Sequence, residues 1–238
     1  MSLLRSLLLT TPLIVLATIV MGLMSLVCSF LDRSGNSAHR VARLWARILL
    51  AVSFIRVRVE GLEKLDRRAN YVFVANHGSY MDIPAVLSRL PYQFRFFAKT
   101  GLFKIPFLGW HLRWAGHMPV DRSNARASLR STNEGAKLMA SRHVSMLLFP
   151  EGGRTRPELG LREFKEGAVY LAMKAGVPVA PIALVGLREL LPMGSGHVRS
   201  GRVVIRIGDP IPTAGLPPSA RDGLTRRLRD EVARMLKG

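Results

Sequence analysis

The chain has 238 residues, of which 48% are hydrophobic, and its 35 lysines and arginines against 16 aspartates and glutamates give a formal net charge of +19. The length allows one α/β domain and a further anchoring segment. The hydrophobic fraction is high for a freely soluble enzyme and low for a polytopic membrane protein, so we expect the apolar excess to be local. The single cysteine, Cys28, excludes an intrachain disulfide and a multi-cysteine metal site, as is common in a reducing compartment.

The N-terminal segment contains no charged residue from Ser6 to Leu31. At about 1.5 Å per residue, a helix of this length could cross a ~30 Å hydrocarbon core. A signal peptide would have a shorter apolar region and a small-x-small cleavage site, and the β-branched Val27 before Cys28 does not fit a lipoprotein site. We therefore interpret the segment as a retained membrane anchor.

A second helix is predicted at residues 40–52, because apolar residues recur there at helical spacing and arginines share another face. The apolar positions are Val41, Leu44, Trp45, Ile48, Leu49 and Val52, and the basic ones are Arg40, Arg43 and Arg47. This pattern, beside the anchor, predicts a basic amphipathic helix at a membrane surface. The alternative is a helix packed on the core with its basic face in solvent.

The net charge of +19 requires an anionic partner. Nucleic acid is not expected, because the chain has no Lys/Arg-rich arm, zinc-finger spacing or RNA-binding signature. An anionic membrane surface accounts for both the charge and the anchor, since each basic residue near it contributes about 1 kcal/mol. Basic residues follow the apolar segment and only Arg5 precedes it, so the positive-inside tendency predicts an inner-membrane protein with its catalytic domain on the cytoplasmic side.

After an anchoring unit at residues 1–54, we expect one catalytic domain at residues 55–238. Strands are predicted at 56–60, 71–75, 93–98, 116–120, 145–149, 177–185 and 202–207. Helices are predicted from residue 82 and at 125–141, 166–175 and 219–237, with a region of short helices at 100–114. Alternating strands and helices predict an α/β fold with a mixed, largely parallel sheet covered by helices.

The segment after the strand at 71–75 carries the first chemical signal. His77 follows the strand, and Asp82 comes five positions later. A histidine paired to a carboxylate can take a proton from an alcohol near neutral pH, because the carboxylate orients the ring and stabilises the imidazolium. No serine or cysteine nucleophile is obvious beside it, so the pair could activate a substrate hydroxyl directly. The alternative is a strand-end histidine followed by an aspartate that caps the next helix.

Two further polar clusters follow strand ends, where active residues of α/β folds gather. Arg122 suits a phosphate, although it could instead form a surface salt bridge with Asp121. In the segment 150–155, glycines allow a ligand to approach the backbone, Glu151 can accept from a hydroxyl and Arg154 can hold an anion. A plain Gly-Gly turn is the alternative there.

Lys99 and Lys104 flank an apolar stretch that includes Phe103, Phe107 and Trp110. Lys99 could meet a phosphate head group, and snorkelling lysines beside structural aromatics are an equal alternative. Four further histidines have no ligand-like spacing, so no metal or other cofactor is expected. They are His111, His117, His143 and His197.

The order of these motifs resembles that of the glycerolipid acyltransferase family, of the bacterial 1-acyl-sn-glycerol-3-phosphate acyltransferase type. The matching motifs are His-x4-Asp from His77, Gly-x4-Asp-Arg from Gly116, Phe-Pro-Glu-Gly-x-Arg from Phe149 and Val-Pro-x-x-Pro from Val177, across about residues 38 to 210. The resemblance also implies an N-terminal helix pair that docks on one membrane leaflet.

The resemblance implies a role for each site residue. His77 would be the general base that acts without an acyl-enzyme, and Asp82 its partner; backbone N–H groups near Gly152 would stabilise the oxyanion. Lysophosphatidic acid and acyl-CoA or acyl carrier protein would be the substrates, with phosphatidic acid the product. The glycerol phosphate would be bound by Lys99, Arg122, Glu151, Gly152, Arg154 and Thr155.

Two departures from the family pattern concern the choice of acceptor. Gly153 stands where the family often has threonine or serine, and His117 to Val120 replace a more apolar, β-branched run. Transfer to a lysolipid other than lysophosphatidic acid is therefore an alternative. A non-catalytic, membrane-bound lipid-binding protein is the alternative of a different class.

Overall fold

The computed structural model describes residues 2–121, 124–155 and 160–237. Within these ranges a seven-stranded sheet has the order β1-β7-β6-β2-β5-β3-β4. Neighbouring strands are parallel except for β6 and β7, which confirms the predicted mixed, largely parallel sheet. The strands are β1 (Ile55–Glu60), β2 (Val72–Ala75), β3 (Phe94–Lys99), β4 (Met118–Val120), β5 (Ser145–Leu148), β6 (Val179–Val185) and β7 (Gly201–Ile207).

Helices cover both faces of the sheet, which is why its central strands are almost continuously apolar. One face packs against α3 and α4, and the other against α6, α7 and α9. The helices are α1 (Ser2–Arg5), α2 (Thr11–Leu31), α3 (Asn36–Val52), α4 (Asp82–Arg89), α5 (Leu108–Trp114), α6 (Ala125–Arg142), α7 (Gly167–Ala175), α8 (Leu187–Leu190) and α9 (Ala220–Lys237). The predicted strands and the helices predicted at 125–141, 166–175 and 219–237 agree with these bounds to within two residues, whereas α3 begins four residues before the predicted residue 40 and α8 was not predicted.

The pleat of β2 decides on which side of the sheet the site lies. Successive side chains of a strand point to opposite faces. Phe73 and Ala75 belong to the core under α3 and α4, while Val72 and Val74 belong to the core under the other helices. His77 continues the first series, so the strand directs it to the α3–α4 side of the carboxyl edge.

The N-terminal helices form an antiparallel hairpin. Thr10 Oγ1 donates to the carbonyl of Val52, Trp45 Nε1 to Thr18 Oγ1, and Ser25 Oγ to the carbonyl of Ala38. These three contacts, in reverse order along the two helices, fix α3 alongside α2 over its whole length.

The first helical segment exposes apolar side chains to its surroundings and turns several small polar side chains towards the rest of the protein. Its buried positions include Ser6, Thr10, Ser25 and Ser29, whereas its large apolar side chains are exposed. By length and composition, Leu3–Leu31 is apolar enough to cross a membrane. An outward apolar face of this kind suits lipid contact and supports the interpretation as a membrane anchor. The exposed residues are Leu3, Leu4, Leu7, Leu8, Leu9, Leu13, Val15, Leu16, Ile19, Val20, Leu23, Met24, Val27, Phe30 and Leu31.

Most of the apolar side of α3 faces the protein, not a membrane. Ala46, Leu49 and Leu50 are buried, and Trp45 packs against the core beneath the sheet. Leu44 is the large apolar side chain of this helix that stays exposed. The core and α2 already cover most of the apolar side of this helix, so the helix packs on the core as in the alternative, and contact of its exposed basic face with a membrane surface stays a prediction.

Candidate active site

The predicted histidine–aspartate pair is formed at the carboxyl end of β2. His77 Nδ1 lies 2.8 Å from Asp82 Oδ2, and the same oxygen accepts the backbone N–H groups of Gly78 and Ser79, each at 2.8 Å. Asp82 is 1% exposed and His77 6%. Because the carboxylate takes the hydrogen of Nδ1, Nε2 is left as the basic nitrogen of the ring. The turn from residue 77 to 82 thus holds the histidine in the orientation that a general base requires.

The loop after β5 fixes the backbone of His77. The N–H of His77 donates to Glu151 Oε1 at 2.6 Å, and the N–H of Thr155 donates to the carbonyl of His77 at 2.8 Å. Thr155 Oγ1 donates in turn to Glu151 Oε2. Glu151 and Thr155 are both almost fully buried, so these bonds bind the two strand ends together in a dry environment where they are strong.

The ring of Phe149 packs flat against the imidazole of His77. The rings of His77 and Phe149 are stacked, with centroids 3.9 Å apart and an angle of 16° between their planes. On the other side of β2, Asn76 Nδ2 donates to the carbonyl of Leu184 and its Oδ1 accepts the N–H of Leu184. Two neighbouring strands therefore determine the position of His77.

An apolar cavity of about 310 Å³ lies between the hairpin, α4, β3 and α5. Ile83, the residue after Asp82 at the start of α4, lines the cavity, and Ala98 lies near the carboxyl end of β3. Ala98 lines the cavity, and Ala38 lines its other end near the tip of the hairpin. The cavity thus extends from the neighbourhood of the dyad to the opposite edge of the sheet, a shape that suits a hydrocarbon chain.

Three histidines that line this cavity, one buried and two partly buried, stay neutral. Burial, assisted by nearby Arg95 and Arg43, lowers the pKa of His39 to about 3. Burial also lowers the pKa of His111 and holds that of His117 well below its ordinary value. His117 Nδ1 accepts the N–H of Phe96, and His39 Nε2 lies 3.2 Å from the carbonyl of Tyr92. These contacts give the two side chains structural partners.

The predicted basic residues are distributed around the carboxyl edge. Lys99 ends β3 and is exposed. Arg154 Nε donates to the carbonyl of Ser79 at 3.1 Å, and its guanidinium lies over the Tyr80 ring, 4.5 Å from the centroid. Arg122 was predicted to bind phosphate and lies outside the described residues.

Glu151 and Thr155 were expected to contact the substrate, but in the structure they contact the backbone of His77. Their side chains are engaged with each other and with the backbone of His77, and they are buried, so they position the base. Gly152 adopts a left-handed conformation with φ of 76°, and its N–H donates to the carbonyl of Phe149. That N–H group is therefore not available for an oxyanion. The adjacent N–H of Gly153 has no hydrogen-bond partner among the described residues.

Two basic side chains near the dyad were missed by sequence reasoning. The guanidinium of Arg188 packs on Gly78, and the Lys165 side chain packs on Gly152: a Cβ added to these glycines would lie 2.7 Å from Arg188 Nε and 3.1 Å from Lys165 Cε. Lys165 belongs to the segment 164–168, whose sequence carries only a weak signal. Arg188 follows β6 without any motif, so only the proximity of β6 and β2 reveals it.

Comparison with known proteins identifies the fold. A family model described as Acyltransferase matches residues 56–185. The chain is 36% identical over 197 residues, 82% of its length, to the chloroplastic 1-acyl-sn-glycerol-3-phosphate acyltransferase of Arabidopsis thaliana, and 28% identical over 90% of its length to that of Saccharomyces cerevisiae. It spans about half the length of the chloroplastic relatives, 53% and 50%. The crystal structure of the 1-acyl-sn-glycerophosphate acyltransferase from Thermotoga maritima superposes with a TM-score of 0.81 at 30% identity, covering 100% of this chain and 97% of that one.

Proposed function

Since this chain belongs to the acyltransferase family, we propose that it transfers a fatty acyl group from a thioester donor to the sn-2 hydroxyl of 1-acyl-glycerol-3-phosphate, which yields phosphatidic acid. The names of its relatives support this acceptor. The observation that carries the proposal is the oriented His77–Asp82 dyad beside an apolar cavity. The one hydroxyl of a serine in the turn, that of Ser79, is fully buried and donates to the carbonyl of Leu191, so it does not act as a nucleophile.

In the proposed mechanism, Nε2 of His77 removes the proton from the acceptor hydroxyl as its oxygen attacks the thioester carbonyl. The negative charge of Asp82 stabilises the imidazolium that forms. When the C–S bond breaks, the imidazolium gives its proton to the departing thiolate, so the histidine returns to its neutral state. The N–H of Gly153 is the candidate donor to the oxyanion. No acyl-enzyme is formed, and no cofactor takes part.

The acyl chain of one substrate would occupy the cavity that Ile83, the neighbour of Asp82, lines. Acyl-CoA and acyl carrier protein are both proposed as donors, since both present the same thioester.

The proposed location is the inner membrane, with the catalytic domain on its cytoplasmic side. The exposed apolar face of α2 and the exposed arginines of α3, Arg40 and Arg47, support an attachment to an anionic leaflet. In a vesicle flotation assay, the double change Ile19→Glu and Leu23→Glu on that face should abolish binding. Leu129→Glu, at an exposed apolar position of α6, is the matched control and should bind as the wild type does. Equal flotation of both variants would contradict the attachment through α2.

The activity is tested with purified protein in detergent or liposomes, supplied with lysophosphatidic acid and a labelled acyl donor. The wild type should form phosphatidic acid, and His77→Ala should lower the rate by about 10²–10⁴-fold, as the loss of a general base does. A wild-type rate in His77→Ala would exclude the mechanism. Transfer only to a different lysolipid would favour the alternative acceptor. Lipid binding without any transfer would favour a non-catalytic lipid-binding protein.

A further inference from the structure

A half-buried arginine that no motif marks lies directly beside the dyad. The guanidinium of Arg188 packs so closely on Gly78 that a Cβ there would lie 2.7 Å from Nε, 3.1 Å from Nη2 and 3.3 Å from Cζ. Gly78 has an ordinary backbone conformation, so the close approach of Arg188, and not φ, is what favours glycine here. The guanidinium therefore sits on the residue that immediately follows the general base.

The charge of Arg188 has no counter-ion in the described part of the chain. Within residues 2–121, 124–155 and 160–237 it forms no hydrogen bond and no ion pair. Arg154, on the neighbouring Ser79, likewise has no carboxylate partner there. Cations that are partly removed from water without a carboxylate partner are expected to bind an anion.

The turn that carries Arg188 is fixed to the dyad. Ser79 Oγ donates to the carbonyl of Leu191 at 2.9 Å, and Ser79 forms an isolated antiparallel bridge with Pro192. The N–H of Ser79 is at the same time bound to Asp82 Oδ2. The segment from Arg188 to Pro192 is thus attached to the very turn that orients His77, which keeps the guanidinium at a defined place.

The sheet order brings Arg188 closer to the base than Lys99. Arg188 follows β6, which pairs directly with β2. Lys99 ends β3, which is separated from β2 by β5. Neighbouring strands are about 4.8 Å apart, so the strand that ends at Lys99 lies about 10 Å from β2. The strand that precedes Arg188 lies about half as far from β2.

We propose that Arg188 binds the phosphomonoester of the acceptor together with Arg154. This inference rests on the proposed function. In a 1-acyl-glycerol-3-phosphate, four covalent bonds of about 1.5 Å separate the sn-2 oxygen from phosphorus, so the phosphorus lies within about 6 Å of that oxygen, and within about 9 Å of Nε2 once the hydroxyl is hydrogen-bonded to it. A phosphomonoester carries about −1.5 to −2 charges near pH 7 and is best met by two guanidinium groups. Arg154 and Arg188 flank the turn from Gly78 to Tyr80 and offer two.

The test compares Arg188→Ala with Arg199→Ala, a control at an exposed arginine in the following loop whose side chain, within the described residues, donates to the carbonyl of Glu189 alone. With 1-acyl-glycerol-3-phosphate, Arg188→Ala should raise the acceptor KM by about 10–100-fold and leave the donor KM unchanged, since it removes charge-assisted hydrogen bonds. With 1-monoacylglycerol, which has no phosphate, its kcat/KM should equal that of the wild type. Arg188→Lys should recover part of the loss.

A double-mutant cycle tests the contact itself. Gly78→Ala places a methyl group against the guanidinium and should raise the acceptor KM in the wild-type background, but not in Arg188→Ala, where nothing remains to be displaced. Thermal unfolding of each variant, followed by circular dichroism, verifies that the folded protein is compared.

Several results would overturn the assignment. They are an unchanged acceptor KM in Arg188→Ala, a raised donor KM, or an equal loss with both acceptors, which would indicate that Arg188 only supports the turn. In each of these cases the wild type still makes phosphatidic acid, so the proposed function survives. If the wild type is inactive, the proposed function fails. Arg188 is then tested by calorimetric titration of the protein with 1-acyl-glycerol-3-phosphate, in which equal affinities of the wild type and Arg188→Ala would reject it.

Discussion

Replacing Asp82 by asparagine separates the charge of the dyad from its geometry. Asp82 Oδ2 accepts three hydrogen bonds, from His77 Nδ1 and from the N–H groups of Gly78 and Ser79, all at 2.8 Å. In Asp82→Asn the two backbone donors should still attract the amide oxygen, because an NH₂ group facing them would be repelled. The oxygen therefore stays opposite Nδ1, and the ring keeps its tautomer while the negative charge is lost.

The size of the effect follows from the geometry. The charges of an imidazolium and a carboxylate that are hydrogen-bonded in this way lie about 4 Å apart. At an effective dielectric constant of about 20, they attract each other by about 4 kcal/mol, which corresponds to a rate factor of about 10³. Asp82→Ala should lose more, because it also leaves two backbone N–H groups without a partner, at about 1–3 kcal/mol each in stability.

The assay is the release of free thiol from acyl-CoA in the presence of 1-acyl-glycerol-3-phosphate, with thermal unfolding measured on the same samples. We expect Asp82→Asn to fall about 10³-fold in kcat with a small change in melting temperature, and Asp82→Ala to fall further in both. An Asp82→Asn rate within tenfold of the wild type would refute the electrostatic argument. A loss of stability equal to that of Asp82→Ala would show that the backbone donors do not hold the oxygen.

Three further expectations follow from the site and the core. Glu151→Gln replaces one of two oxygens that both accept hydrogen bonds by an NH₂ donor, so at least one of the donors, the N–H of His77 or that of Arg162, loses its acceptor; the free energy of unfolding should fall by about 1–3 kcal/mol and kcat should fall more than KM changes, as denaturant titration and kinetics can establish. Ala38→Leu, at the far end of the cavity, should shift preference to shorter acyl donors in a chain-length series, whereas Ala98→Leu, near the carboxyl end of β3, should slow all of them; identical profiles would refute an acyl-chain cavity. Because burial lowers the pKa of His39 to about 3, the unfolded state binds a proton below pH 6.5 that the native state does not, so stability should fall as pH drops, by about 2 kcal/mol from this group at pH 5, and a melting temperature unchanged between pH 7 and 5 would contradict it.

The sequence was sufficient for the parts of the site that are close along the chain. His77 and Asp82 are five residues apart, so the end of one strand and the start of the next helix bring them together without help from the rest of the fold. The strands around them are short apolar runs bounded by turn residues, a pattern that follows from burial on both faces. The unbroken apolar segment at the N-terminus likewise predicts an anchor from local composition alone.

The tertiary structure decided what depends on contacts between distant segments. Glu151 is 74 residues from His77, and its carboxylate was expected to contact the substrate. In the fold β5 lies beside β2, and the buried carboxylate accepts the backbone N–H of His77 instead. The apolar side of α3 could have faced lipid or the core, and only the position of α2 and α4 resolved this.

By itself, then, the sequence determined the fold class, the dyad and the apolar anchor, because each depends on residues that are near neighbours in the chain. Only the tertiary structure decided which polar residues hold the base and that Arg188 lies on Gly78, 110 positions earlier. The physical reason is that such contacts depend on strand order and register, and the periodicity of a single segment specifies neither.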